Sequence, residues 1–354
     1  MKSLDEVTSK LELVSKHGSE NQLFILLNSY KWKISDYDIK VQKIIASTLT
    51  SKISLKKSPQ QQLQIESLGS VQIESTPCPI KYKPSKSKQA QVLPTTIQMP
   101  TKFDFDMKFD IKSTDDVGIT SIAVTHDNRL LLCNYYSPKV LVYSDRGEYL
   151  QDCTLSGKPW GIAIIPGEDK AVVSLPIQWS IQFVDIKSMK SGGTHSVHDL
   201  RGGIAVVGDK ICVGGTGGKI NILSKQGKTI TTITIPGGGN YIEYLHPGPQ
   251  DSVYYTDNNT VGCVKLSGEV RFTCTPENFN VPRAVTTDRG GNLYIACKKS
   301  NNIHRLSADE NFIDVILDHD NKIYNPWGLA FSRNYRNFFV TNENGKSVFV
   351  FFCS

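Results

Sequence analysis

None of the eight cysteines stands in a C-x-x-C pair, and the chain has no continuous apolar run of membrane-spanning length. The first absence argues against structural zinc, whose tetrahedral site is usually built from closely spaced ligand pairs. The second argues against a transmembrane helix, which needs about 20 consecutive apolar residues. Met1 to Tyr30 lacks the basic start, apolar middle and small-residue cleavage site of a secretory signal, so a cytoplasmic protein is expected. Cys133 in Leu131-Leu132-Cys133 and Cys212 in Ile211-Cys212-Val213 sit inside apolar runs, where a reduced thiol acts as a small hydrophobe.

Signatures of catalysis are equally scarce. Among seven histidines, His195 and His198 stand three apart in Gly192-Gly193-Thr194-His195-Ser196-Val197-His198, with no cysteine or glutamate close by, and read as a surface loop. Gly214-Gly215-Thr216-Gly217-Gly218 and Gly237-Gly238-Gly239 do not lead from a strand into a helix, so tight turns explain them better than a phosphate loop. No cofactor or metal site is expected.

What the chain does contain is a repeat. Taking Ile122, Ile162, Ile204, Ile242, Val285 and Leu329 as equivalent, the intervals are 40, 42, 38, 43 and 44 residues. That is the period of a four-stranded propeller blade. The clearest copies begin Pro159-Trp160-Gly161-Ile162-Ala163-Ile164 and Pro326-Trp327-Gly328-Leu329-Ala330-Phe331, and third strands read Lys139-Val140-Leu141-Val142-Tyr143 and Ser347-Val348-Phe349-Val350-Phe351. Blade four is least regular, with Tyr241-Ile242-Glu243-Tyr244 in place of the Ile-Ala pair. The sixth copy ends at Phe352 after three strands. Ahead of the first copy, Phe103, Phe105, Met107, Phe109 and Ile111 alternate with charged residues as in a half-buried strand. Closing a ring removes sheet edges, so Phe103 to Ile111 is expected to supply the missing outer strand of blade six.

The net charge of +6 is unevenly placed. Residues 1–47 carry seven lysines and six acids, residues 48–100 seven lysines and two acids, and residues 101–354 carry 26 of each sign. The leading segment, residues 1–49, reads as helical. Leu4, Val7, Leu11 and Val14 form one stripe that suits a short coiled coil and a homodimer, and a second helix is expected from Ser35 to Leu49. Residues 50–100, rich in Lys, Ser, Pro and Gln, read as a flexible basic linker in which Leu68 to Ile73 is a candidate strand. The expected architecture is an all-β six-bladed propeller over residues 101–354 behind that linker.

The combination of helical segment, polar linker and six repeats with Pro-Trp-Gly-Ile-Ala starts and Val-x-Val-Phe ends resembles the tripartite-motif proteins that carry a C-terminal NHL-type propeller. The resemblance covers nearly the whole chain. It implies a part in a ubiquitin-ligase system, with the propeller recognising a protein partner, or, as in some members, single-stranded RNA. The cysteine and histidine ligands of the family's RING and B-box modules are missing here, so ligase activity is not expected of this chain.

Loops on a rigid scaffold carry function. In a propeller those entering each first strand and those joining second to third strands share one face. They supply Tyr136, Lys158, Trp179, Arg201, Tyr241, Arg283, Lys298 and Lys299 as candidate partner-binding residues, types that suit interface hot spots or base stacking with phosphate contact. Trp160 and Trp327 recur at one repeat position and are expected to pack between neighbouring blades. A third reading, the calcium-dependent enzymes among six-bladed propellers, would draw oxygen ligands from Asn240, Asp257 and Asp288.

Overall fold

The computed structural model describes residues 49–56, 70–77, 100–113, 115–237, 241–257, 259–275, 280–308 and 311–354. The chain divides into two units, residues 1–93 and 94–354. In the first, strands β1 (Leu49–Lys56) and β2 (Ser70–Pro77) pair antiparallel from Leu49 opposite Pro77 to Lys56 opposite Ser70. A paired hairpin therefore lies within the stretch expected to be a flexible linker, and the candidate strand at Leu68 to Ile73 overlaps β2. Leu49, expected to end a helix, opens a strand instead. The other expected helical residues, and with them the proposed dimer contact, lie outside the described residues.

The second unit is a six-bladed β-propeller, each blade a four-stranded antiparallel sheet. The inner strands are Ile119–Val124, Ile162–Ile164, Leu200–Val207, Tyr244–Pro247, Pro282–Thr287 and Leu329–Phe331. Second and third strands of each blade are almost wholly buried, as in Leu130–Asn134 and Ser252–Thr256, because both of their faces meet neighbouring blades. Most cysteines follow this pattern. Cys133, Cys212, Cys263, Cys297 and Cys353 are buried on second or third strands and Cys153 on the outer strand of blade one, and desolvation pushes the thiols of Cys153 to about 11 and Cys212 to about 12.

Strand β3 (Phe103–Asp110) completes the sixth blade as expected, running antiparallel to Ser347–Cys353 from Phe103 opposite Cys353 to Asp110 opposite Ser347. Its aromatic side chains tie three blades together. Phe103 meets Tyr294 of blade five at 5.9 Å and Phe338 of blade six at 5.4 Å, while Phe109 stacks on Tyr143 of blade one at 5.5 Å. The expected single stripe is broken at Phe105, which is 54% exposed. A register shift between Val350 and Phe351 skips Asp106 and re-aims the strand there, leaving Phe105 edge-on to Phe349 and Phe351.

The expected loop at His195 is also corrected. Lys190–Ser196 is the outer strand of blade two, and His195 packs edge-on to Phe183 at 5.5 Å.

Burial pushes the imidazoles of His246, in blade four, and His304, in blade five, down from 6.5 to about 4. Between those pH values an unfolded chain takes up protons that the folded chain does not. Their contribution to stability is fully present above pH 6.5 and is lost as pH falls through about 4. Equilibrium unfolding at neutral and mildly acid pH checks this. His246→Gln should shrink the acid-induced loss by on the order of 2 kcal/mol, and an unchanged loss would contradict the burial of that ring.

Candidate partner-binding face

The two Pro-Trp-Gly turns are built alike. Trp160 N–H donates to Ser174 O and Gly161 N–H to Ser174 Oγ, at 3.0 and 2.9 Å. In blade six Trp327 N–H donates to Thr341 O and Gly328 N–H to Thr341 Oγ1, at 2.9 and 2.6 Å. One hydroxyl residue on each second strand thus fixes where the indole emerges. Both indoles turn towards the ring axis, and their centroids lie 5.6 Å apart although blade one separates their blades. This corrects the expectation that they pack between neighbouring blades: a ring of repeats points equivalent side chains at a common axis, where they meet each other.

Trp160 anchors the meeting point. Its Nε1 donates to Glu243 O of blade four at 3.2 Å, its ring lies 5.4 Å from Tyr135 of blade one and 6.2 Å from Tyr244, and it rests on Gly202 of blade three, where a Cβ would occupy the indole's place. Tyr244 Oη reaches across the ring to Thr120 O at 2.9 Å. Outward from Trp160 the column continues through Tyr135 to Tyr136, edge to face at 5.7 Å. On the other side Lys298 Nζ lies 4.4 Å and the Arg283 guanidinium 5.2 Å from the ring centroid of Trp327. A continuous run of aromatic rings therefore crosses the face from blade one and ends in two cations of blade five.

The electrostatics are lopsided. Arg283 is ion-paired with Glu243, both mostly buried, and burial lowers the guanidinium to about 10. Lys298 is held below the ordinary lysine value by burial first and then by the positive charges of Arg283 and Lys299. Neither Lys298 nor Lys299 meets a carboxylate among the described residues. Three cations cluster near one carboxylate, which pairs with Arg283 alone among them.

Arg283 and Lys298 thus belong to the column, and Tyr136 caps it, 52% exposed. Arg201 and Tyr241 form a separate pair, the guanidinium 4.4 Å from the ring centroid. Trp179 also stands apart. It is 53% exposed beside exposed Ile177 and lies 6.0 Å from the His198 ring, with φ of 46°, a left-handed conformation uncommon for a bulky side chain. Lys158 and Lys299 are exposed without ring or ion-pair contacts among the described residues. Glu243, Ile177 and Tyr324, the last 55% exposed, escaped sequence reasoning. Glu243 alone had left a signal, the irregular start of blade four.

The oxygen donors weighed for calcium do not converge. Asp257 Oδ1 accepts from the N–H groups of Asn259 and Thr260, whereas Asp288, in a first-to-second-strand loop, accepts from Asn292 and from Tyr294 Oη. Each carboxylate shapes its own turn. Asn240 lies outside the described residues. Among the described residues no group of three or more His, Cys, Asp or Glu is placed to hold a metal ion, and no helix is long and apolar enough to cross a membrane.

No protein-family model and no curated protein matches this chain. Solved structures do resemble it. Virginiamycin B lyase from Staphylococcus aureus is 12% identical over 71% of this chain and 99% of its own, with a TM-score of 0.56. A protein of unknown function from Bacteroides thetaiotaomicron is 14% identical over 71% and 73%, with a TM-score of 0.58. Hydrazine synthase from Kuenenia stuttgartiensis is 16% identical over 68% and 78%, with a TM-score of 0.53. At such identities the likeness is one of fold.

Proposed function

We propose that the propeller is a non-catalytic recognition module that holds a protein partner on the face crossed by the aromatic column. The column itself carries the reading: rigid, mutually packed rings that end in an exposed tyrosine on one side and under-neutralised cations on the other have the composition of an interface hot spot. Trp179, kept in a costly backbone conformation yet exposed, adds a second anchor. By its sequence resemblance to tripartite-motif proteins, such a module would serve a ubiquitin-ligase system, selecting the partner while another chain supplies the ligase chemistry. Lyase activity belongs to one similarly folded protein and is not carried over at 12% identity.

A second reading has its own observation. Lys298 and Arg283 lie over Trp327 without enough carboxylate to neutralise them, an arrangement that also suits a stacked base beside a phosphate of single-stranded RNA.

Crosslinking in cells separates the two. Proteins recovered with the native chain should be lost with Tyr136→Ala and Trp179→Asn, variants expected to melt with the native protein because both side chains are exposed and Asn tolerates the left-handed backbone. RNA recovered with the native chain and lost with Lys298→Glu would favour the second reading. A protein set unchanged in both aromatic variants would refute the first.

A further inference from the structure

Below the aromatic column the ring encloses a cavity of about 340 Å³, lined by all six inner strands. One end is shut. Gly161 and Gly328 are lining residues, and the residue before each is a tryptophan of the pair that meets over the axis. At the other end the lining runs past the strands into the first-to-second-strand loops, at Pro166, Ser332, Arg333 and Tyr335. The cavity is therefore a blind pit that opens on the face opposite the proposed partner-binding face. Its size falls at the lower end of small-molecule sites, about 300–1,000 Å³.

The pit sorts its contents by chemistry. Aliphatic walls at Ile122, Ile162, Ile204, Val285 and Leu329 favour an apolar body. No carboxylate lines it, and Arg333 is the one permanent charge that does. The Arg333 backbone N–H is fixed across the blade six to blade one junction by donating to Asn128 Oδ1 at 3.1 Å, yet its guanidinium meets no carboxylate among the described residues. Arg289 stands close by, 5.4 Å from the ring centroid of Tyr335, also without a carboxylate. Deeper in, His246 and Thr287 bond to each other at 3.1 Å and add a neutral polar patch. An apolar pit with a cation at its lip and no competing anion inside complements one class of molecule.

We propose that the axial cavity binds a small organic anion with an apolar body, inserted tail first from the loop face, with its charged head held by Arg333. Octanoate is a suitable probe and octanol its uncharged control. Calorimetry should show saturable binding of octanoate to the full chain, with octanol at least about tenfold weaker, the scale of a charge-assisted hydrogen bond. Arg333→Met should bring octanoate down to the level of octanol and leave octanol unchanged. Ala163→Phe, which fills the pit, should abolish both. Tyr136→Ala, on the opposite face, should change neither.

Because the filling variant can fail to fold, a second measurement localises the probe: octanoate brominated at its tail should quench the fluorescence of Trp160 and Trp327 at the closed end. Failure of octanoate to bind, full binding by a folded Ala163→Phe variant, absence of quenching, or indifference to Arg333→Met would each overturn the assignment. None of these outcomes depends on the partner-binding face.

Discussion

Phe109→Ala should lower the unfolding free energy of the propeller by about 3–5 kcal/mol, the range for removing a buried aromatic ring. Phe109 is 9% exposed, stacks on Tyr143 and covers Gly147, so it is the point where the clasp strand of blade six grips blade one. Tyr143 cannot move in to fill the space. Its Oη accepts from Lys112 N–H at 2.9 Å and donates to Lys112 O at 3.3 Å, both within the segment that follows the clasp. In a domain of this size the loss corresponds to a melting temperature lower by about 10 °C. Phe105→Ala is the internal control, because its exposed ring should cost about 1 kcal/mol or less. Equal effects at the two positions would show that the register shift in the clasp is misplaced.

Glu243→Gln should destabilise by about 3 kcal/mol, since removing one partner of a buried pair strands the other. The stranded group is the Arg283 guanidinium, which burial already disfavours and the nearby Lys298 already repels. Arg283→Met strands Glu243 instead and should cost a similar amount. The double change, Glu243→Gln with Arg283→Met, keeps an apolar stem against Trp327 and buries no lone charge, so most of the loss should return. Chemical denaturation of the four proteins reads out the coupling. Simple additivity would mean that the two residues do not act as a pair. Loss of partner binding in the double variant, with stability restored, would assign the charges to recognition rather than to folding.

Much of this domain could be read in advance. The spacing of Ile122, Ile162, Ile204, Val285 and Leu329 marked inner strands and so the blade number, although in the irregular blade four Leu245, not the expected Ile242, holds that place on the axis. The alternation from Phe103 marked the closing strand, because both patterns are local and follow from burial on a pleated surface. What could not be read depends on the ring as a whole. Trp160 and Trp327 are 167 positions apart in the sequence, and nothing in either turn tells that their indoles meet, since distance across the axis is set by all six blades together. Arg283 is a candidate binding residue by its loop position, yet its carboxylate partner is Glu243 from the neighbouring blade. The strand β1 shows a different blindness. Its Leu49, Ile53 and Leu55 share one parity, but a composition of lysine and serine hid the alternation.

The clasp also bears on how the domain is made. Thr101 Oγ1 donates to Ser354 O across 253 positions of sequence, and among the described residues β3 finds its only partner strand in Ser347–Cys353. During synthesis the phenylalanines of β3 leave the ribosome first and wait for the last strand of the domain. Five blades can form by pairing with near neighbours in the chain, whereas the sixth demands the longest loop closure of all. Until then the nascent chain carries an open edge beside an aromatic segment, a species prone to pairing with other chains. A ribosome that stalls before Ser347 would release an unlatched ring, and chaperone engagement should rise steeply for chains arrested on that side of the codon.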